Sequence, residues 1–122
     1  MRIQLAMAFA LFATHASAEP CEAPRAAYIG DGFSKAGELV DLPDTYLIAY
    51  LNGFVDTALA ASVLGASDGC VKRAEQCLKG KTLPQLVAIV RKHLKANPER
   101  WHMSANLQVF AALFMPCVHA PN

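Results

Sequence analysis

The segment from Cys77 to Cys117, CLKGKTLPQLVAIVRKHLKANPERWHMSANLQVFAALFMPC, constrains the fold more than any other part of the chain. It reads as two helices clipped together at their outer ends. Thr82 with Gln85 three residues later has the pattern of a capping box, Pro84 suits a first turn, and Leu83, Leu86, Val87, Val90 and Leu94 recur at helical spacing. Asn97 is a good N-cap residue, Pro98 supplies the backbone angle favoured at a first helical position, and Glu99 places negative charge at the positive helix end. These residues predict a second helix that runs through Trp101 and ends near Pro116. On it, Trp101, Ala105, Val109 and Ala112 form one apolar row and Met103, Leu107, Phe110 and Phe114 another, with His102, Asn106 and part of Gln108 on the polar side.

The compartment is written at the other end. Arg2 forms a positive n-region, Ile3 to Ala13 an apolar h-region, and Ala16-Ser17-Ala18 a small-x-small cleavage site. Residues 1–18 therefore read as a secretory signal peptide, too short in its apolar run for the roughly 20 residues a membrane span needs. Residues 19–122 are expected to form one domain, which at that size buries roughly two thirds of its unfolded surface. An exported domain meets an oxidising compartment, so Cys21, Cys70, Cys77 and Cys117 imply two disulfides. Three pairings are possible. Antiparallel helices flanked by Cys77 and Cys117 favour that pair and leave Cys21 with Cys70; a bridge from Cys70 to Cys77 is the main competitor. The spacings match no zinc motif, and nothing in the chain calls for a metal or cofactor.

Ser34 to Val40 can form a short helix that Asp41-Leu42-Pro43-Asp44 breaks and restarts. Tyr46 to Ala66 is almost wholly apolar. Asn52, Gly53 and Asp56 in its middle argue against a membrane span, since a central Asp costs about 2.5 to 3.5 kcal/mol on insertion. The stretch is expected as a central helix buried on most sides, with Gly53 admitting a neighbouring helix closely and Asp56 paired or solvated at a crevice. Gly65 to Lys81 reads as a long loop with at most one helical turn over Val71 to Leu78. No alternating run argues for a strand, so the fold class is all-α, a small disulfide-stapled bundle of four to five helices.

Residues 19–122 carry ten Lys and Arg against ten Asp and Glu. Such a domain has no net field to draw in nucleic acid or anionic lipid. The charge is nevertheless split: residues 19–68 hold eight acids and two bases, residues 69–122 two acids and eight bases. Acidic and basic helices are expected to face each other, within the fold or across a dimer.

Catalytic patterns are missing. No HExxH, GxSxG, Walker or GxGxxG motif occurs, and the histidines outside the signal are His93, His102 and His119. Glu99 with His102, three apart, and Asp56 in its apolar helix are the remaining candidates for acid–base or metal chemistry. Each has a simpler structural reading, as a helix-start charge, a packed imidazole and a satisfied polar group. Trp101 reads as a core or interface anchor. No residue set argues for an enzyme.

Tyr50-Leu51-Asn52-Gly53-Phe54-Val55-Asp56, then Cys77, Thr82-Leu83-Pro84-Gln85-Leu86, Asn97-Pro98-Glu99-Arg100-Trp101-His102, Ala105 and Phe114-Met115-Pro116-Cys117 carry a resemblance. Over roughly residues 45–117 the chain resembles the Tai-type immunity proteins, also called resistance-associated periplasmic proteins, which protect bacteria from amidase effectors of the type VI secretion system. The N-P-E-R-x-H entry together with the terminal F-x-P-C is its most specific part. On this resemblance Gly53, Asp56, Pro98, Glu99, Arg100, His102 and Pro116 are motif residues of the scaffold, and Cys77 with Cys117 is the family's disulfide, Cys21 and Cys70 being additional. The resemblance further implies a periplasmic homodimer that binds a peptidoglycan-cleaving cysteine amidase and blocks its catalytic cleft with a loop, by complementarity rather than catalysis. No contact residue carries over by motif. In this chain the best loop is Ala66 to Lys81, where Asp68, Lys72, Arg73, Glu75, Lys79 and Lys81 are the candidate partner contacts and disulfides at Cys70 and Cys77 restrain the backbone before binding. The alternative on the same scaffold is a chaperone-like periplasmic interaction module with no toxin partner, since fold does not fix function.

Overall fold

The structure, a computed structural model, describes residues 34–118. The expected signal peptide, Cys21 and His119 lie outside the described residues. Its helices are α1 (Ala36–Val40), α2 (Asp44–Leu59), α3 (Asp68–Leu78), α4 (Leu83–Ala96), α5 (Ala105–Leu113) and the single turn α6 (Met115–Val118), with 3-10 turns at Ala61–Leu64 and Pro98–Arg100. Among the described residues there is no strand, and α6 continues α5 past a kink at Phe114, so the bundle is all-α with five helical rods. No helix among these residues is long and apolar enough to cross a membrane.

Helix α4 is the element whose local code is followed most closely. The Thr82 N–H donates to Gln85 Oε1 at 2.8 Å, the Gln arm of the capping box, and Pro84 sits in the first turn. Leu86, Val87, Val90 and Leu94 are buried on one face. Around them lie Leu47 and Leu51 of α2, Leu39 and Val40 of α1, and Val109, Leu113 and Phe114 at the other end of the chain. Aliphatic side chains on every surrounding helix make α4 the axis of the core, and this apolar burial is the main favourable term holding the bundle together.

The second helix of the 77–117 segment starts later than its sequence suggests. Pro98–Arg100 forms one 3-10 turn, and α5 begins at Ala105 with Ser104 as its N-cap. Asn97 does not cap forward: its Nδ2 donates back to the His93 carbonyl at 2.7 Å, and the Trp101 indole Nε1 donates to the Leu94 carbonyl at 2.8 Å. Both close the C-terminus of α4, where carbonyls lack helical partners. Residues 101–105 are meanwhile taken by the chain before α1. The Ala36 N–H donates to the Met103 carbonyl at 2.9 Å, Gly37 N–H to Trp101 at 3.0 Å, and Ala105 N–H to Ser34 at 2.9 Å. A short antiparallel bridge at Lys35 and Ser104 thus supplies partners for the unpaired first N–H groups of both α1 and α5. This long-range pairing outcompetes local helix formation. Gly37 eases the close approach, since a Cβ there would meet Trp101 Cβ at 3.2 Å.

Helix α2 also departs from expectation. Leu47 and Leu51 are buried and Ile48, Tyr50, Phe54, Val55 and Ala58 pack partly against the core, but Tyr46, Ala49, Asn52, Gly53, Asp56 and Thr57 form an exposed outer face. Nothing lies within 4 Å of a Cβ placed on Gly53, so among the described residues no other helix approaches it closely. Asp56 is exposed on the same face and not in a crevice. The apolar run also breaks: α2 ends at Leu59, and a 3-10 turn and Gly65, at φ 93°, reverse the chain. A composition that is apolar all round cannot reveal which face has a partner.

The split charge meets at Arg91. From α4 its Nη1 donates to the Val40 carbonyl at 2.7 Å, its Nη2 donates to the Leu42 carbonyl, and the same nitrogen pairs with Asp44 Oδ1 at 2.7 Å. The guanidinium so fastens the turn between α1 and α2 to α4, joining the basic half of the chain to the acidic half. Arg91 is 22% exposed and Asp44 72%. The carbonyl bonds therefore outweigh the ion pair, which faces water. We expect Arg91→Met, which keeps the aliphatic stem, to cost about 2 kcal/mol, and Asp44→Asn under about 1 kcal/mol. Urea denaturation of both variants checks the ranking; equal losses would mean that the ion pair, not the carbonyl clamp, holds the turn.

Candidate functional site

The segment expected as a loop at 66–81 is mostly helix. Ser67 Oγ accepts the Cys70 N–H at 3.3 Å and so caps α3, with Asp68 adding favourable charge in the first turn. Gly65 precedes it and Gly80, at φ 76°, follows it. The physical reason for the difference is an amphipathic period hidden by polar residues: Cys70, Val71, Ala74, Cys77 and Leu78 turn inward at helical spacing, while Asp68, Lys72, Arg73, Glu75 and Lys79 stay outside. Asp68, Lys72, Glu75 and Lys79 follow one another along a single outer row, acid and base alternating at helical spacing. Lys81, just beyond, turns its ammonium back onto the Cys77 carbonyl and closes the helix end.

Two covalent ties hold this helix. Cys77 bonds to Cys117, 40 residues away, joining the last turn of α3 to α6 with a Cα separation of 5.7 Å. Cys70, two turns earlier on the same inner face, is disulfide-bonded as well. Because Cys77 is paired with Cys117, a bridge between Cys70 and Cys77 is excluded; the expected partner of Cys70, Cys21, lies outside the described residues. The outer row of α3 is therefore presented on a backbone that binding need not order.

At the N-terminal side of this helix stands the 3-10 turn. Val63 is 86% exposed and Leu64 80%. The sequence pattern places both inside a buried central helix, and the structure corrects it. No sequence signal marks them as exposed, although the glycine at 65, followed by the Ser67 cap, marks the reversal that puts them there.

The motif residues of the scaffold lie elsewhere. Pro98, Glu99 and Arg100 form the turn after α4, with Glu99 and Arg100 in an exposed ion pair of 3.6 Å, and His102 is exposed beyond it. Glu99 and His102 do not share a helix face. Pro116 is in the first turn of α6 beside Cys117. Gly53 and Asp56 lie on the outer face of α2, apart from these. The conspicuous residues missed in reading the sequence are Asn97 and Trp101 as a C-terminal closure and Gln108 as a buried polar group. Gln108 is 3% exposed, with Oε1 3.2 Å from His93 Nε2 and Nε2 3.5 Å from Met103 Sδ. Its amide is satisfied inside the bundle, as a buried polar group must be.

Chemistry has little foothold here. Among the described residues no three of His, Cys, Asp and Glu gather as a metal would require. Burial raises the pKa of the Tyr50 phenol above its ordinary value. What the surface does offer is a charged row on a covalently tied helix beside an exposed apolar turn.

No curated protein and no solved structure matches the chain significantly. The family of Rap1a immunity proteins, by contrast, matches residues 14–117, from before the bundle to the cysteine that closes it. Immunity proteins act by binding and not by catalysis, and the chain belongs to the Rap1a immunity protein family.

Proposed function

We propose that the protein neutralises a peptidoglycan amidase effector of type VI secretion, in the periplasm, by covering the effector's catalytic cleft. Residues 1–18 direct export in this reading, and residues 19–122 act as one domain and as a homodimer. The observation that carries it is membership of the Rap1a immunity family over residues 14–117. The disulfide between Cys77 and Cys117 supports an oxidising compartment.

The partner-contact surface in this proposal is the outer side of α3, with Asp68, Lys72, Arg73, Glu75 and Lys79, and Lys81 at its end. The reading is tested by co-expressing the chain with periplasm-directed type VI amidases and scoring rescue from lysis. A version lacking residues 1–18 is expected not to rescue. Lys72→Glu and Lys79→Glu are each expected to weaken amidase binding by about tenfold, mainly through slower association. Their stability cost should stay near 0.5 kcal/mol, because only helix-surface charge pairs change, giving about that much. Full protection by the double variant would remove α3 from the contact.

A further inference from the structure

We infer that Val63 and Leu64 form the apolar anchor that enters the partner's cleft, with the row on α3 as its charged border. This rests on the effector-blocking reading above and adds the residues that supply binding energy.

The case begins with exposure. Two adjacent aliphatic side chains lie at 86% and 80% exposure on the turn between α2 and α3, with Leu59 partly exposed at its base. A solvated chain reversal gains nothing from Val-Leu at its tip, where polar turn residues are the norm. The tip is also preformed. Val63 N–H donates to the Ala60 carbonyl at 3.0 Å, Gly65 N–H to Ser62 at 3.1 Å, and Ala66 N–H to Ala61 at 3.0 Å, while Gly65 takes the left-handed conformation that ends the turn. Ser67 then caps α3 and its Cys70 is disulfide-bonded, so the tip is held from both sides. Binding through it loses little conformational freedom.

Shape and charge select the occupant. Two side chains on a turn cannot by themselves supply the roughly 800 Å² per partner that a stable interface needs. A concave site closing over the tip and continuing onto α3 can. Along that continuation the bases Lys72, Arg73 and Lys79 outnumber the acids Asp68 and Glu75, while the Lys81 ammonium is turned onto the Cys77 carbonyl. The occupant is thus an apolar cleft with an acidic lip, and within the proposed function that cleft is the substrate groove of the amidase. An apolar centre ringed by charge is the usual distribution of binding energy at protein interfaces.

The test uses the full exported chain and purified type VI peptidoglycan amidases, with affinity, melting temperature and mass by light scattering measured together. Leu64→Ser is expected to weaken binding about 30-fold and the double change Val63→Ser with Leu64→Ser about 100-fold or more, chiefly through faster dissociation. Melting temperature and mass should not change, because the side chains removed touch little of the fold. Unchanged affinity in the double variant, while Lys72→Glu still weakens binding, overturns the anchor and leaves the blocking role standing. A change of mass with unchanged amidase affinity also overturns it, assigning the tip to a second copy. Failure of the unmodified chain to bind any of the amidases removes the underlying reading and the anchor with it.

Discussion

Replacing Cys77 and Cys117 together by alanine should lower the stability of the domain by about 4 kcal/mol, the chain-entropy value for a loop of this length. The bridge joins residues 40 apart, enclosing all of α4 and α5. Without it the unfolded chain regains the freedom to separate α3 from α6. A loss of this size corresponds to a fall in melting temperature of roughly 20 °C for a domain of about 100 residues. Alanine is the cleaner replacement, because Cys77 is only 3% exposed and a serine hydroxyl at that depth would need a partner. Thermal unfolding by circular dichroism measures the effect. A shift of only a few degrees would mean that packing between α3 and α6 holds the ends together unaided. The functional consequence is specific: α3 carries the candidate contact row, so losing its tie to α6 should harm recognition even at temperatures where the rest of the bundle stays folded.

The second large effect is expected at Phe114, 1% exposed at the junction of α5 and α6. Its ring centroid lies 6.2 Å from that of Phe54 on α2 and 5.4 Å from that of Phe110. Phe114→Ala removes the largest fully buried side chain of the core and leaves a cavity between three elements, for an expected loss of about 3–5 kcal/mol. Phe110→Ala, at a ring 36% exposed, is the control and should cost much less. Urea denaturation of the two variants supplies the comparison. If Phe114→Ala lost no more than Phe110→Ala, the terminal F-x-P-C motif would not owe its form to packing. Both predictions concern residues of the recognisable motif, and both are effects on folding. That division explains how a family can be legible in its scaffold while its contacts are not.

Helix α4 shows what sequence pattern can deliver. Its cap at Thr82 and Gln85, its proline and its buried row from Leu86 to Leu94 all depend on neighbours within one or two turns, so local order predicts them. The Cys77 to Cys117 pairing is legible for a related reason, since two antiparallel helices return the chain to its starting level. Asn97-Pro98-Glu99 carries an equally good local code for a helix start, yet no α-helix begins there. Asn97 and Trp101 close α4 instead, and residues 101–105 pair with 34–37, segments far apart in the chain that no local pattern connects. The outer face of α2 and the tip at Val63 and Leu64 escape the sequence for another reason: apolar composition indicates that burial is possible but not which face receives a neighbour.

The sequence by itself determined the helical class, the core stripe of α4, the balance of charge and the residues by which the family is recognised. These follow from short-range periodicity and from residue chemistry, both written along the chain. Tertiary structure alone decided that the helix over 68–78 is tied to α6, that Arg91 clamps the turn between α1 and α2, and that two aliphatic residues stand in solvent beside a charged row. Exposure and long-range hydrogen bonding depend on which segments meet in space, and the candidate surface of an immunity protein consists of what the fold leaves uncovered.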